Sequence, residues 1–259
     1  MSRLYLAASD APPAEADAVL RGVPIDGGVS FRPGAAQGPS AIREFSDSIE
    51  SYSPRTGRDL EDITLVDLGD VDDPSAVEIF GGLSVFVGGD HSITPKLVAR
   101  AANRYEDLAV IGFDAHLDLR EDYPGDHACT YRRISEAGVP CFVFGPRSGE
   151  RSEWVDAPKV LEHLAADLDV SPALDALRGR PVYVTLDIDV LDPSVAPGTG
   201  NPEAGGPGFN ELLGALERLA ALSVVACDVV EVSPPLDPSG ITQAAAAVLV
   251  REMILNYAR

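Results

Sequence analysis

The feature that most constrains the fold is a series of short apolar stretches, many of them followed by a segment of helical character. The apolar stretches predict strands near residues 17–25, 63–68, 83–88, 108–113, 140–145, 158–161, 181–186 and 223–230. The intervening patterns predict helices over 38–51, 94–105, 128–137, 171–178, 209–222 and 241–257. Such alternation is typical of crossover helices and a mainly parallel sheet covered on both faces, so we expect an α/β fold.

Length and composition favour a single domain over residues 1–259. No low-complexity linker or internal repeat divides the chain, and 45% apolar residues can form a sizeable core. No apolar run approaches the ~20 residues that a membrane span needs. The first residues also lack the apolar core of a signal peptide. We therefore expect a cytoplasmic protein that does not bind membranes.

The chain is strongly acidic. It carries 41 acidic and 20 basic side chains, a net charge of −21, and only Lys96 and Lys159 are lysines. Such a surface repels a phosphate backbone, so we expect no nucleic-acid partner. High salt would screen the self-repulsion, which suggests a halophilic source. A GC-rich genome could also replace lysine with arginine, but it would not by itself explain the charge.

Three of the predicted strands end in clusters of aspartate and histidine. The clusters are GGDH at 88–91, DAHLD at 114–118 and DID at 187–189. In an extended chain, residues two apart point the same way, and ligands of parallel sheets bind beyond the carboxyl ends of the strands. One such acid is usually a helix cap or a turn former. So many carboxylates in one small volume instead require a cation to balance them, which predicts a two-metal hydrolase site.

These clusters lie in longer motifs that resemble the ureohydrolase family, which includes arginase and agmatinase. The matching motifs are GGDHSIT (88–94), FDAHLDLR (113–120), DIDVLDPSVAPGTGNPEAGG (187–206) and DVVEVSPPLD (228–237), with SFRPGAAQGPSAIREFS (30–46) and DLGDVD (67–72) upstream. The resemblance runs from about residue 20 to the C-terminus. It implies an arginase-type three-layer fold, with an eight-stranded parallel sheet between helices, and hydrolysis of a guanidino group with release of urea.

The resemblance also implies the metal ligands. His91, Asp114, Asp118 and Asp187 would hold one ion, and His116, Asp114, Asp187 and Asp189 the other, so that Asp114 and Asp187 bridge. Ligands that are mostly carboxylates with a minority of imidazoles suit Mn²⁺, so we expect two Mn²⁺ ions, with Co²⁺ or Zn²⁺ as possible substitutes. Two neighbouring metals can share a water and lower its pKa.

The same motifs suggest the catalytic residues. Asp118 would hydrogen-bond the metal-activated hydroxide, and Glu231 would clamp the guanidinium and fix its plane. His127, which lies 11 residues after His116 in a short connecting loop, would protonate the departing amine. Asp90 and Ser92 are candidates for orienting a metal ligand.

Several substrates share this chemistry. The APGTG stretch (196–200) resembles agmatinases, and Arg120 stands where arginases carry an asparagine that helps hold the α-carboxylate. We therefore expect conversion of agmatine and water to putrescine and urea. The alternatives are aminopropylagmatine, guanidinobutyrate and arginine. Arg147 is a candidate contact for the substrate tail.

Two alternative hypotheses belong to a different class: a non-catalytic metal-binding regulator on the same fold and a single-zinc deacetylase. The regulator would be favoured if a ligand, His127 or Glu231 were missing, and all are present. The deacetylase would usually show a paired histidine, which the sequence lacks. The resemblance further implies a homo-oligomer, a trimer or hexamer. The apolar helix predicted at 241–257 would then be a buried closing helix or part of a subunit interface.

Overall fold

The computed structural model describes residues 5–27, 30–123 and 127–259. Its strands are β1 (Ala18–Val23), β2 (Tyr52–Ser53), β3 (Arg58–Asp59), β4 (Leu65–Asp70), β5 (Leu83–Gly88), β6 (Ala109–Phe113), β7 (Cys141–Phe144), β8 (His163–Ala165), β9 (Pro181–Asp187) and β10 (Ser223–Val230). Its helices are α1 (Gly38–Ser46), α2 (Thr94–Ala102), α3 (Thr130–Glu136), α4 (Arg151–Val160), α5 (Ser171–Ala176), α6 (Phe209–Leu219) and α7 (Ile241–Tyr257).

Eight of these strands form one sheet in the order β4-β1-β5-β10-β9-β6-β7-β8. Every neighbouring pair in this sheet is parallel. The short strands β2 and β3 form a separate antiparallel pair. The predicted eight-stranded parallel sheet is therefore confirmed, and the apolar character of its strands follows from burial on both faces.

Helices cover both faces of the sheet. Successive strand residues alternate between two apolar clusters, as Val110 and Ile111 do in β6. One cluster includes apolar residues of α1, α5, α6 and α7, and the other includes those of α2, α3 and α4. The expected three-layer arrangement is confirmed.

One predicted strand was wrong. Residues 158–160 form the last turn of α4, and the edge strand β8 follows at His163–Ala165. Helix α4 buries only Glu153 and Ala157, so it presents no apolar stripe, and Pro158 gave the segment the appearance of a helix break. His163 lies in β8 beside the ring of Phe144.

The apolar helix α7 is largely buried within the chain. Its side chains pack in the same cluster as those of α6, and both Met253 and Leu255 are fully buried. Burial against the sheet thus accounts for its composition. Within the described ranges, no helix combines the length and apolar character that crossing a membrane requires.

The sheet order places the predicted site residues together. Strands β5, β10, β9 and β6 are consecutive neighbours in the middle of the sheet. Because they are parallel, their carboxyl ends meet at one edge, and each is followed by one of the acidic motifs. In the chain β5 is followed by β6, but in the sheet β10 and β9 lie between them. In open parallel sheets ligands bind in a crevice beyond the carboxyl ends of the strands, where the strand order changes direction.

Candidate dinuclear metal site and active site

The first ligand group surrounds the ring of His91, just beyond β5. Its Nδ1 atom lies 3.2 Å from Asp114 Oδ2, 3.2 Å from Asp118 Oδ2 and 3.4 Å from Asp187 Oδ2. His91, Asp114 and Asp118 place ligand atoms close enough together to hold one ion. The structure therefore brings together all four residues expected at this position.

The second ligand group shares Asp114 with the first. His116 Nδ1 lies 2.9 Å from Asp189 Oδ2 and 3.8 Å from Asp114 Oδ1. Asp114, His116 and Asp189 again satisfy the spacing of a metal site. The two overlapping groups make a candidate dinuclear centre with Asp114 between its halves.

Backbone amides orient the carboxylates of both groups. The amide of His116 donates to Asp114 Oδ1 (2.7 Å), and that of Asp189 donates to Asp187 Oδ1 (2.9 Å). The amide of Ala115 donates to Asp189 Oδ1 (3.1 Å), which ties the loop after β6 to the loop after β9. One oxygen each of Asp114, Asp187 and Asp189 is thus held by the main chain, and the other is left for the centre of the cluster.

Burial and mutual repulsion disfavour ionisation of the carboxyl groups. Burial, reinforced by the charge of Asp118, raises the pKa of Asp114 to about 6. Burial and the charges of Asp189 and Asp114 raise the pKa of Asp187 well above its ordinary value. Without a cation, at least part of this cluster must bind protons.

The charged form is favoured for the two imidazoles, whereas it is disfavoured for the carboxyl groups. Burial opposes protonation of both, but neighbouring carboxylates outweigh it and raise the pKa of His116 to about 10 and that of His91 well above its ordinary value. His91 Nδ1 and Asp114 Oδ2 are buried and lie 3.2 Å apart, yet neither makes a hydrogen bond of regular geometry with a described residue. Unpartnered ligand atoms in a carboxylate-rich cluster fit a pair of divalent cations.

Two carboxylates of the site stand on unusual backbone. Asp118 has φ 46° and Glu231 has φ 63°, in the left-handed region that residues with a Cβ seldom adopt. In such a conformation the side chain leaves the chain in a direction that a regular strand exit would not allow. Backbone strain of this kind is concentrated at functional sites.

His127 and Glu231 form a pair beside the metal ligands. His127 Nδ1 lies 3.6 Å from Glu231 Oε1, and the same oxygen accepts a hydrogen bond from the amide of His91 (2.9 Å). Burial opposes protonation of His127, but Glu231 outweighs it and raises the pKa of the imidazole. The hydroxyl of Thr130 lies 3.0 Å from the carbonyl oxygen of His91 and 3.2 Å from that of His127, linking the two segments.

A pocket of about 370 Å³ opens over these residues. His116, Asp118, His127, Asp187, Asp189 and Glu231 line it together with Arg120, Tyr123, Glu150 and Glu153. The metal-ligand side chains are mostly buried, whereas Arg120 and Glu150 are more exposed. The pocket thus joins the cluster to solvent through a charged mouth.

The guanidinium of Arg120, at the mouth of the pocket, already forms ion pairs within the chain. Arg120 Nη2 lies 3.2 Å from Glu150 Oε1, and Arg120 Nε lies 3.9 Å from Glu153 Oε2. Its guanidinium also lies over the ring of Tyr123, 4.9 Å from the ring centre. Two carboxylates therefore face one cation, and the mouth keeps a negative excess.

Arg147 differs from its expected role as a contact for the substrate tail. Its guanidinium donates to the carbonyl oxygens of Gly145, Asp189 and Glu203 at 3.2, 2.9 and 2.8 Å. These bonds hold the long loop after β9 against the loop after β7. Arg147 is also absent from the pocket lining.

Thr185, which is not among the predicted site residues, contacts the side of the His91 ring that faces away from the metal cluster. Asp90 accepts hydrogen bonds from the amide and hydroxyl of Ser92 and so caps the turn that carries His91. The hydroxyl next to the His91 ring belongs to Thr185, 3.0 Å from Nε2. The sequence contains a signal that could have predicted this contact. Thr185 precedes Asp187 by two residues, so the two side chains point to the same side of the strand.

The chain is similar to known proteins over nearly its whole length. The agmatinase of Bacillus subtilis is 40% identical over 95% of this chain and 93% of its own. The N(1)-aminopropylagmatine ureohydrolase of Thermococcus kodakarensis is 36% identical over 90% and 88%. The crystal structure of a putative agmatinase from Clostridium difficile superimposes with a TM-score of 0.88 at 32% identity, covering 95% of this chain and 99% of that one.

One protein family matches the chain over nearly its whole length. The profile of the arginase family matches residues 16–255, a range that begins before β1 and ends within α7. Every residue of the candidate site lies inside that range. The chain belongs to the arginase family.

Proposed function

We propose that this protein is a metal-dependent ureohydrolase that converts agmatine and water to putrescine and urea. The observation that carries the proposal is the position of the His127–Glu231 pair beside two overlapping metal-ligand groups in one pocket. Relatives named agmatinase, similar over nearly their whole length, support the same chemistry.

The ligand set favours Mn²⁺. His91, Asp114, Asp118 and Asp187 are proposed to hold one ion, and His116, Asp189 and the shared Asp114 and Asp187 the other. Carboxylate-rich sites suit hard divalent ions, and Mn²⁺ also accepts imidazole. When bound, the two ions supply a water activated for attack at neutral pH.

The remaining residues act on the substrate and its protons. Glu231 is proposed to bind the guanidinium and fix its plane, since its carboxylate lines the pocket and one oxygen is held by the amide of His91. Asp118 is proposed to accept a hydrogen bond from the attacking water and so orient it. His127 gives its proton to the leaving nitrogen as the C–N bond to the alkyl chain breaks, so that the product leaves as a neutral amine. Burial opposes protonation of His127, but Glu231 outweighs it, raises the pKa of the imidazole and so favours the protonated form that this step needs.

The charge at the mouth supports an amine-tailed substrate. Agmatine ends in an ammonium group, whereas guanidinobutyrate ends in a carboxylate and arginine carries one. Arg120, the cation of the pocket lining, already faces Glu150 and Glu153. A carboxylate tail would compete with these two acids, whereas an ammonium tail would be attracted to them.

Aminopropylagmatine is the second candidate. It carries the same guanidinium on a longer chain with a second cationic nitrogen. Glu150, with 58% of its side chain exposed, would leave such a tail free to extend into solvent beside an acidic group. A relative named for this substrate is similar over most of this chain.

The comparison of four substrates tests the proposal. Urea release is measured on agmatine, aminopropylagmatine, guanidinobutyrate and arginine, in molar KCl, with metal-free protein and after addition of Mn²⁺. We expect activity only with metal, and agmatine first in kcat/KM. Full urea release from rigorously metal-free protein would refute the metal mechanism. A carboxylate-bearing substrate in first place would refute the substrate assignment alone.

The oligomeric state and the tolerance of high salt are proposed from the sequence. We propose a trimer or hexamer, and an enzyme that tolerates molar salt because its charge of −21 is screened there. Light scattering at low and at molar KCl tests the first statement, and urea release at the same salt concentrations tests the second. A monomer at every salt concentration would contradict the first, and loss of activity at molar KCl the second.

A further inference from the structure

A buried chain of hydrogen bonds leads away from the metal cluster behind His91. His91 Nε2 lies 3.0 Å from Thr185 Oγ1, and the Thr185 hydroxyl donates to Asp228 Oδ1 at 2.6 Å. None of the three side chains is more than about 1% exposed. Asp228 is an acid in the middle of the fold to which the proposed mechanism gives no task.

The register of two central strands builds this chain. Thr185 of β9 and Asp228 of β10 are direct partners across the parallel ladder. Two residues after Thr185, Asp187 leaves the sheet towards the metal cluster. A shift of one residue in either strand would turn one of these side chains to the opposite face of the sheet.

The direction of the protons follows from the chemistry of the groups. An ionised carboxylate only accepts hydrogen bonds, so the single hydrogen of the Thr185 hydroxyl points to Asp228. The Thr185 oxygen is then an acceptor, and His91 Nε2 must carry a hydrogen. His91 Nδ1 is left as the nitrogen that faces the cluster.

Other hydroxyls hold Asp228 in place. Thr94 Oγ1 and Tyr183 Oη each donate to Asp228 Oδ2 at 2.8 Å. With these donors the buried carboxylate is hydrogen-bonded through both oxygens without a cation. Only the Thr185 hydroxyl continues from Asp228 to a metal ligand.

We infer that Thr185 and Asp228 are positioning residues that fix the tautomer and ring orientation of His91, and so retain the ion on the His91 side of the cluster. The inference rests on the proposed dinuclear metal site. Loss of a partner that orients a ligating histidine commonly costs about 10- to 100-fold in metal affinity, and we expect a loss in that range here.

The chain offers matched variants for the test. Thr185→Ala and Thr185→Ser differ by one hydroxyl, and only the serine variant can keep the link to His91. Thr94→Val and Tyr183→Phe each remove a different hydroxyl from the same carboxylate without touching that link. A purely structural role for Asp228 would therefore affect all three hydroxyl deletions alike.

The readout is Mn²⁺ binding, measured by competition with a chelator, with the EPR spectrum separating spin-coupled pairs from single ions. Wild-type protein that binds no Mn²⁺ would overturn the proposed function itself. If it binds two, we expect Thr185→Ala to lose about 10- to 100-fold in affinity for one ion. Thr185→Ser, Thr94→Val and Tyr183→Phe should stay close to wild type.

Two outcomes would overturn the inference alone. One is wild-type affinity for both ions in Thr185→Ala, and the other is an equal loss in the three hydroxyl deletions. Thermal unfolding of each metal-free variant establishes that it is folded. If Thr185→Ala does not fold, Thr185→Val, which keeps the volume of threonine, takes its place with the same two outcomes.

Discussion

Neutralising Glu150 should weaken the preference for an amine tail over a carboxylate tail. Glu150 Oε1 lies 3.2 Å from the Arg120 guanidinium at the mouth of the pocket. The change Glu150→Gln keeps the size of the side chain and the backbone amide that donates to Glu153. It removes one negative charge from the mouth and frees one side of Arg120 for an anion.

The exposure of the pair sets the size of the effect. The side chains of Arg120 and Glu150 are 36% and 58% exposed, so water screens their interaction strongly. Pairs of this kind are worth about 0.2–1 kcal/mol, which corresponds to about 1.4- to 5-fold in a rate or binding constant. The change opposes the ammonium tail and favours the carboxylate tail by similar amounts. The ratio of kcat/KM for agmatine to that for guanidinobutyrate should therefore fall by about 2- to 30-fold.

The assay is urea release on both substrates at low ionic strength and in molar KCl. Glu217→Gln is the matched control, because Glu217 pairs with Arg55 and does not line the pocket, yet the variant has the same net charge. We expect the shift in Glu150→Gln, reduced by salt, and none in the control. A ratio that stays at the wild-type value in Glu150→Gln, or shifts equally in both variants, would refute the assignment of tail selectivity to this mouth.

Three further outcomes are expected. Replacing His127 with alanine should lower kcat by about 10²–10⁴-fold while two Mn²⁺ ions remain bound, as urea assays and metal analysis would detect; loss of the metals would show that His127 is a ligand. Affinity for Mn²⁺ should fall at least about 100-fold from about pH 7.5 to 5.5 in chelator competition, because each proton displaced costs about tenfold per pH unit. His116, with a pKa of about 10, holds such a proton throughout that pH range, and Asp114, with a pKa of about 6, gains one towards its lower end. An affinity independent of pH would contradict this electrostatic account. Arg147→Ala should lower the free energy of unfolding by about 2–4 kcal/mol in urea denaturation, because several carbonyl oxygens lose a charged donor, and an unchanged stability would show that the loop holds without it.

Much of the fold could be predicted because its signals are local. The central strands of the sheet are largely apolar, so β5, β9 and β10 lie within a residue of their predicted positions. Helix α7 begins and ends where its pattern indicates. Helix α4 and edge strand β8 escaped because few of their residues are fully buried, which leaves little hydrophobic pattern to detect.

The convergence of the candidate site could be anticipated for a similar reason. Side chains two residues apart at a strand exit point the same way, and parallel strands end at one edge of the sheet. These rules predict that Asp114, His116, Asp118, Asp187 and Asp189 approach one another, and their side chains do lie close together. The rules do not supply the left-handed backbone of Asp118 or the 3-10 turn that carries Asp189. The chemistry of the ligand types then indicates a hard divalent metal.

By itself, the sequence of this protein thus determined the class of fold, the residues that gather at the edge of the sheet and the type of ion they suit. Only the tertiary structure decided which partner each remaining polar group meets. In the folded chain Arg147 donates to the carbonyl oxygens of a loop, and Arg120 pairs with Glu150. Thr185 lies between His91 and Asp228. The physical reason is that strand order and register fix these contacts. Thr185 and Asp228 are 43 residues apart in the chain, and they meet only because β9 and β10 lie side by side in one register.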